Sequence, residues 1–131
     1  MIRTMVVDDH AQVRTRLTRL LNEENDIEVV AEADGYSQLM DCLKTILPDV
    51  LLLDISMPGK NGLEIAEELR QSHPSIKTLI VSTYSEEQFS ILAKKAGAFG
   101  YIPKDSVAEM LVRAIRLCHD RSDLHQLSSN S

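Results

Sequence analysis

The sequence has little cysteine, little positive charge and no long hydrophobic run. Its two cysteines, Cys42 and Cys118, fall in helix-like stretches, so we expect small buried hydrophobes rather than a disulfide or a metal pair. Fourteen basic residues against twenty acidic ones give a formal net charge of −6, which argues against a nucleic-acid-binding surface. No segment has the length of a membrane span and the N-terminus lacks a signal-peptide pattern, so we expect a cytoplasmic protein.

Apolar runs alternate five times with helix-period stretches along the 131 residues, a length typical of one domain. The predicted strands cover residues 3–7, 27–32, 49–53, 77–81 and 99–102. The predicted helices cover residues 11–22, 36–47, about 61–72, 85–95 and a stretch that begins at 106. This alternation predicts an α/β fold, a flavodoxin-like (βα)5 doubly wound parallel sheet with strand order 2-1-3-4-5.

Polar side chains follow four of the predicted strands at the point where each strand ends. They are Asp8 and Asp9, Asp54, Ser82 and Lys104. Because the carboxyl ends of parallel strands meet at one edge of the sheet, we expect these groups to converge on one small pocket. Three carboxylates, a hydroxyl and an ammonium group together suggest a divalent metal and a phosphoryl group, and hard oxygen ligands favour Mg²⁺.

Simpler interpretations exist for each of these residues. Asp54 could begin a turn before the following Pro-Gly, and Asp8 with Asp9 could cap the next helix. Lys104 could be a solvated surface lysine, the usual fate of that residue. Three acids brought together would repel one another unless a cation lay among them, and this favours the metal site over the simpler interpretations. His10 is expected to lie exposed at the start of the first helix rather than to act as a ligand.

The chain resembles the receiver domain of bacterial response regulators over most of its length. Four features carry the resemblance: VVDDH at 6–10, LLDISMPGKNG at 52–62, Ser82, and AGAFGYIPK at 96–104. Each motif is weak alone, but the order and spacing together are specific. The DDH start, the KDS sequence at 104–106 and the long last helix look like the NarL/LuxR subfamily of transcriptional regulators.

The resemblance implies the chemistry of the site. Asp54 would accept a phosphoryl group from a sensor histidine kinase in the presence of Mg²⁺, with Mn²⁺ as an alternative ion. Asp9 and Asp54 would ligate the metal directly, Asp8 partly through water, and the backbone carbonyl of Ser56 would complete the protein ligands. Lys104 would pair with the carboxylate and later with the phosphoryl oxygens.

The resemblance also implies a conformational response. In the family the hydroxyl at the Ser82 position swings to the phosphoryl oxygen, Thr83 fills the position after it, and the aromatic side chain at Tyr101 turns inward. Tyr101 could equally be a half-buried tyrosine with its hydroxyl in water. Ser56 and Tyr84 occupy the two positions that tune dephosphorylation in the family.

The loop after the fifth strand departs from the family pattern. Many receivers have a proline directly after the lysine at the position of Lys104, joined to it by a cis bond. Here Asp105 follows Lys104, and a proline precedes it as Pro103. A cis bond before a residue other than proline costs about 3 kcal/mol. The isomer of the Lys104–Asp105 bond stays open at this point.

Resemblance to the subfamily implies a particular domain organisation and set of partners. Residues 1–120 are expected to form the receiver, or phospho-acceptor, domain, and residues 121–131 a polar tail or the start of a linker. Transcriptional output would come through a C-terminal helix-turn-helix domain outside this chain. Phosphorylation-dependent homodimers would form through the first and fifth helices or through the fourth and fifth. Val112 and Leu117 lie off the core stripe of the last helix, so we expect some apolar surface to stay exposed there.

Two other functions compete with this interpretation. A haloacid-dehalogenase-like phosphatase also uses an aspartyl phosphate and Mg²⁺, but it needs an acid two residues after its nucleophile, where this chain has Ser56. A stand-alone or phosphorylation-independent receiver acting through protein contacts is the second alternative. We therefore expect no enzyme beyond self-catalysed phosphotransfer to Asp54 and its autodephosphorylation.

Overall fold

A computed structural model describes residues 1–83 and 86–128, with backbone alone at 86–89 and 121–128, and in this part five parallel strands form one sheet ordered β2-β1-β3-β4-β5. The strands are β1 (Ile2–Val7), β2 (Ile27–Ala33), β3 (Val50–Leu53), β4 (Lys77–Ser82) and β5 (Gly100–Pro103). The helices are α1 (Ala11–Asn22), α2 (Tyr36–Leu43), α3 (Gly62–Ser72), α4 (Glu86–Lys95) and α5 (Val107–Ser128), with a 3-10 turn at Lys104–Ser106. The predicted fold and strand order are confirmed.

The central strand β3 supplies both hydrophobic cores, because successive side chains of a strand point to opposite faces of the sheet. Leu51 and Leu53 pack into a first core with residues of α2, α3 and α4. Val50 and Leu52 pack into a second core with residues of α1 and α5. All four are buried, which is why this strand is apolar without interruption.

The strand register aligns the polar residues along one edge of the sheet. Val7 of β1 pairs with Leu53 of β3, so that Asp8 and Asp54 leave the sheet side by side. On the other side of β3, β4 continues to Ser82 and pairs there with the last residue of β5. The ends of β1, β3, β4 and β5 therefore lie together at the carboxyl edge of the sheet.

The start of α3 fixes the loop that follows β3. The Asn61 side chain accepts a hydrogen bond from the Glu64 amide at 3.0 Å, and the Glu64 carboxylate accepts one from the Asn61 amide at 3.1 Å. A Cβ atom on Gly62 would lie 2.1 Å from the carbonyl oxygen of Asp54, closer than any side chain allows. The absence of a side chain at this position lets the helix begin directly against the backbone of the candidate nucleophile.

The second helix is shorter than predicted and ends at Leu43 instead of residue 47. The amides of Lys44 and Thr45 bond to carbonyls three residues earlier, at 3.3 and 3.1 Å, which tightens the last turn. Pro48 disfavours a helical conformation at Leu47, because its ring clashes with the preceding residue. The helix therefore ends at Leu43, and a short loop leads to β3.

The last helix differs from its predicted description in two ways. Val112, expected outside the core stripe, is partly buried and packs against the second core, whereas Leu117 is 47% exposed. The helical backbone continues to Ser128 and so crosses the boundary predicted at residue 120, which stays a prediction. Cys118 is buried as expected, and burial raises the pKa of its thiol to about 12. Among the helices described, none combines the length and apolar character needed to cross a membrane.

We expect Gly62→Ser to destabilise the fold and to disturb the loop that holds Asp54. Its Cβ would collide with backbone rather than with a side chain that could move away, so the free energy of unfolding should fall by about 1–3 kcal/mol. Urea unfolding followed by circular dichroism measures this change. Gly35→Ser is the matched control, because nothing lies within 4 Å of a Cβ there and serine is favoured at a helix N-cap. Equal stability of the two variants would contradict the packing argument.

Candidate functional site

Three carboxylates meet at the carboxyl edge of the sheet, as the sequence predicted. Asp8 and Asp9 follow β1, and Asp54 follows β3. Together with His10, each offers a ligand atom, and these four atoms lie within 4.8 Å of one another. Asp8 and Asp54 are buried, whereas the Asp9 side chain is about a quarter exposed. The arrangement gathers negative charge in a pocket that opens to solvent on the side of Asp9.

Asp54 lies at the floor of this pocket in an unfavourable electrostatic environment. Burial and the nearby charge of Asp8 raise its pKa, opposed by Lys104 and by the hydrogen bond from the Ser56 amide. Its Oδ2 atom is buried and forms no hydrogen bond with the described residues; the Lys104 ammonium nitrogen lies 3.5 Å away. The carboxylate therefore keeps one oxygen with unused bonding capacity.

Lys104 brings positive charge to the acids from the end of β5. Its Nζ lies 3.0 Å from Asp8 Oδ2 and 3.5 Å from Asp54 Oδ2, and the side chain is largely buried. Burial lowers the pKa of Lys104, but the interactions with Asp8 and Asp54 outweigh that effect and leave the pKa raised. The described residues contain no cis peptide bond, so the Lys104–Asp105 bond is trans and continues into the 3-10 turn.

His10 and Arg14 hold the chain around Asp8. The His10 amide donates to Asp8 Oδ1 at 2.8 Å, and the Arg14 guanidinium donates to the Asp8 carbonyl. His10 is exposed, as predicted, yet its Nδ1 lies 3.0 Å from Asp9 Oδ1 and 3.2 Å from Asp8 Oδ1. Neither this closeness nor the contact of Arg14 was predicted from the sequence, although both residues lie near the start of α1 beside the acid pair.

The predicted switch residues lie on β4 and β5 and in the loop after β4. Ser82 is buried at the end of β4, and Thr83 after it is exposed. Tyr101 is buried against the first core, which is deeper than the half-buried alternative. Ser56 is exposed in the loop after β3, where its amide reaches Asp54. Tyr84 lies outside the described residues.

A second polar network, absent from the sequence predictions, braces the loop after β3. The Tyr36 hydroxyl donates to Glu68 Oε2 at 2.7 Å, and Lys60 pairs with Glu68 Oε1. The Lys60 ammonium also lies 4.5 Å from the centre of the Tyr36 ring. The hydrogen bond from Lys60 lowers the pKa of Glu68. Tyr36 and Lys60 of this network line a groove of about 560 Å³ that also includes Asp9.

The donor set suits a hard divalent cation. Asp9 Oδ1 and Asp54 Oδ2 are both buried without a hydrogen bond to the described residues, although His10 Nδ1 approaches the former. Carboxylate oxygens with this unused capacity are the ligands that Mg²⁺ and Mn²⁺ take in proteins. Such an ion would leave the Asp54 carboxylate facing both the ion and Lys104, and an anion such as a phosphoryl group could bind between them.

Comparison with known sequences gives the family. The sequence model described as "Response regulator receiver domain" matches residues 4–116. Response regulator GacA of Pseudomonas viridiflava is 42% identical over 117 residues, which are 89% of this chain and 55% of that protein. The nitrate/nitrite response regulator protein NarL of Escherichia coli is 37% identical over 111 residues, 85% of this chain and 51% of that protein. The chain spans about half the length of these curated relatives.

Solved structures give the same result. The signal receiver domain of a NarL response regulator from Mycobacterium tuberculosis superposes with a TM-score of 0.84 at 34% identity, covering 91% of this chain and 96% of that one. A LuxR-family two-component response regulator from Aurantimonas superposes with a TM-score of 0.84 at 33% identity, covering 90% and 84%. The chain belongs to the response regulator receiver domain family, and within it to the NarL/LuxR type of two-component regulator.

Proposed function

We propose that Asp54 is the phosphorylation site of this receiver domain. The observation that carries the proposal is its buried Oδ2, which lacks a hydrogen bond and faces Lys104 beside two further acids. An oxygen of the carboxylate attacks phosphorus, and the bond between phosphorus and the nitrogen of a kinase phosphohistidine breaks, with its electron pair leaving on that nitrogen. The product is an acyl phosphate on Asp54 and a free histidine on the sensor kinase.

The neighbouring residues support this reaction in separate ways. Asp8, Asp9, Asp54 and the Ser56 carbonyl would hold Mg²⁺, or Mn²⁺, which when bound neutralises the charge that gathers in the pocket. Lys104 holds the Asp54 carboxylate before transfer and would pair with a phosphoryl oxygen after it. The chain thus acts as a phosphoryl acceptor whose own chemistry is confined to self-catalysed phosphotransfer and autodephosphorylation, the latter tuned by Ser56 and Tyr84.

We propose that phosphorylation shifts a conformational equilibrium rather than building a new fold. The phosphoryl group would add charge and acceptors beside Ser82 and Lys104. Ser82 is buried at the end of β4, where Thr83 begins the loop, and Tyr101 is buried on the neighbouring β5, paired with Ile80. The output would be transcriptional, through a C-terminal helix-turn-helix domain of the longer protein, and this segment itself would not bind DNA. A reducing cytoplasm suits the free thiols of Cys42 and Cys118.

We also propose that the active form is a homodimer. Two large apolar side chains of α5, Met110 and Leu117, are 40% and 47% exposed, and such surface favours association. The contact would use α5 with either α1 or α4, the faces that the family resemblance indicated. Because Val112 packs against the second core, a charge at that position would disturb the fold, and Leu117 is the better position to test.

Asp54→Asn should abolish phosphorylation. Wild-type protein treated with Mg²⁺ and a small phosphodonor such as acetyl phosphate should gain one phosphoryl group. The Asp54→Asn variant should gain none, because an amide cannot replace the attacking carboxylate. Intact-mass spectrometry measures the change. Asp41→Asn, at an exposed aspartate of α2 whose carboxylate pairs with Lys44, is the control and should be labelled like wild type. Stoichiometric labelling of Asp54→Asn would refute the assignment, whereas an unlabelled wild type would favour the phosphorylation-independent receiver.

Removing one negative charge from the pocket should stabilise the metal-free protein. Burial and the charge of Asp8 disfavour the ionised form of Asp54, and Asp9 adds a third carboxylate to the same pocket. Asp54→Asn and Asp9→Ala should therefore each raise the melting temperature at neutral pH. We expect about 3 °C or more, the rise that about 1 kcal/mol produces in a domain of this size. Adding Mg²⁺ should raise the melting temperature of wild type and much less that of the variants. Differential scanning calorimetry tests both statements, and lower metal-free melting temperatures for both variants would contradict the repulsion argument.

Leu117→Glu should weaken dimerisation without unfolding the domain. Burying a carboxylate in an apolar contact is costly, so the dimer formed with a phosphoryl mimic such as beryllofluoride should dissociate at least about tenfold more readily. Sedimentation velocity with and without the mimic measures this. Leu47→Glu is the matched control, because Leu47 is 55% exposed in the loop after α2. A wild type that stays monomeric in both states removes the dimer proposal and leaves the receiver function intact.

A further inference from the structure

His10 lies close enough to the acids to act as a metal ligand. Its side chain is 63% exposed, but its amide is held by Asp8 Oδ1 at 2.8 Å, so the start of the helix keeps the ring beside the pocket. Nδ1 lies 3.0 Å from Asp9 Oδ1 and 3.2 Å from Asp8 Oδ1. The receiver chemistry proposed above makes no use of this imidazole.

The spacing matches that of adjacent ligands on one ion. Two ligands at about 2.1 Å from an octahedral metal, in neighbouring positions, are about 3.0 Å apart. The His10 nitrogen stands at that separation from Asp9 Oδ1, and a carboxylate oxygen of Asp54 lies within 4.8 Å of the ligand atoms that the other residues offer. Nδ1 forms a hydrogen bond with Asp8 Oδ1, and since a carboxylate oxygen only accepts, Nδ1 is the donor. An entering ion would replace that proton, and the exposed ring lets Nε2 carry a proton and bond to water while the lone pair of Nδ1 binds the ion.

We propose that His10 is a nitrogen ligand of the pocket and that it shifts the ion preference of this receiver toward first-row transition metals. Imidazole binds Mn²⁺, Co²⁺ and Zn²⁺ in increasing preference to Mg²⁺, which keeps oxygen ligands and water. The site would therefore be mixed. Its carboxylates bind Mg²⁺ and transition metals alike, whereas its one imidazole favours the transition metals. This inference rests on the metal site proposed above.

Binding of Mg²⁺ and Co²⁺ to the whole chain tests the proposal. Isothermal titration calorimetry gives both affinities, and the visible absorption of bound Co²⁺ reports nitrogen coordination. The variants are His10→Asn, which keeps a favoured N-cap residue, and His10→Ala, which is tolerable because the His10 side chain makes no capping bond. His73→Asn is the matched control, because His73 caps the far end of α3.

Both His10 variants should lose at least about tenfold in Co²⁺ affinity and change its absorption spectrum, the loss expected when a coordinated group is removed. Their Mg²⁺ affinity should stay close to wild type, and His73→Asn should change neither ion. An unchanged Co²⁺ affinity and spectrum would overturn the ligand role while leaving the Mg²⁺ site standing. An equal loss for both ions would also overturn it, because His10 would then act by positioning the acids. A wild type that binds neither ion would refute the metal site itself.

Discussion

Lys104 approaches Asp8 at 3.0 Å and Asp54 at 3.5 Å, and the carboxyl edge of the sheet depends on that contact. Two buried carboxylates side by side cost free energy, since each is removed from water and repels the other. The ammonium group offsets part of this cost and joins the end of β5 to the ends of β1 and β3. The offset is incomplete, because burial and Asp8 still raise the pKa of Asp54. A pocket of this kind favours a second positive charge.

The rest of the molecule holds that pocket rigid. The side chains of β3 divide between two cores, so the strand that carries Asp54 is packed from both sides and cannot shift toward either without opening a cavity. The start of α3 packs on the Asp54 backbone through Gly62, and Lys60, Tyr36 and Glu68 brace the intervening loop. The carboxylate of Asp54 is thus held in place while the Asp9 side chain stays partly exposed to solvent.

Much of this could be predicted from sequence, because strand order and the positions of the strand ends follow from apolar periodicity. The positions of Asp8 and Asp9 after β1, Asp54 after β3 and Lys104 after β5 were sufficient to predict that these four residues lie together. The roles of Ser82, Thr83 and Tyr101 came from family resemblance and remain proposals. Periodicity could not show the early end of α2, the inward packing of Val112 or the contacts of His10. The early end of α2 follows from Pro48, a signal that lies in the sequence but outside apolar periodicity. The packing of Val112 and the contacts of His10 depend on helix rotation and on side-chain rotamers, which no spacing in the sequence encodes.

The charged groups of the pocket are far apart in sequence: they follow β1, β3 and β5, between residues 8 and 104. The acids after β1, Asp54 after β3 and Lys104 after β5 come together only when these three strands lie in one sheet, and β5 is the last of them to be synthesised. A partly synthesised or partly folded chain therefore has an aspartate at position 54 but no ammonium group beside it. The pocket proposed to accept the phosphoryl group therefore has its full set of charges only once the strands that supply them are joined.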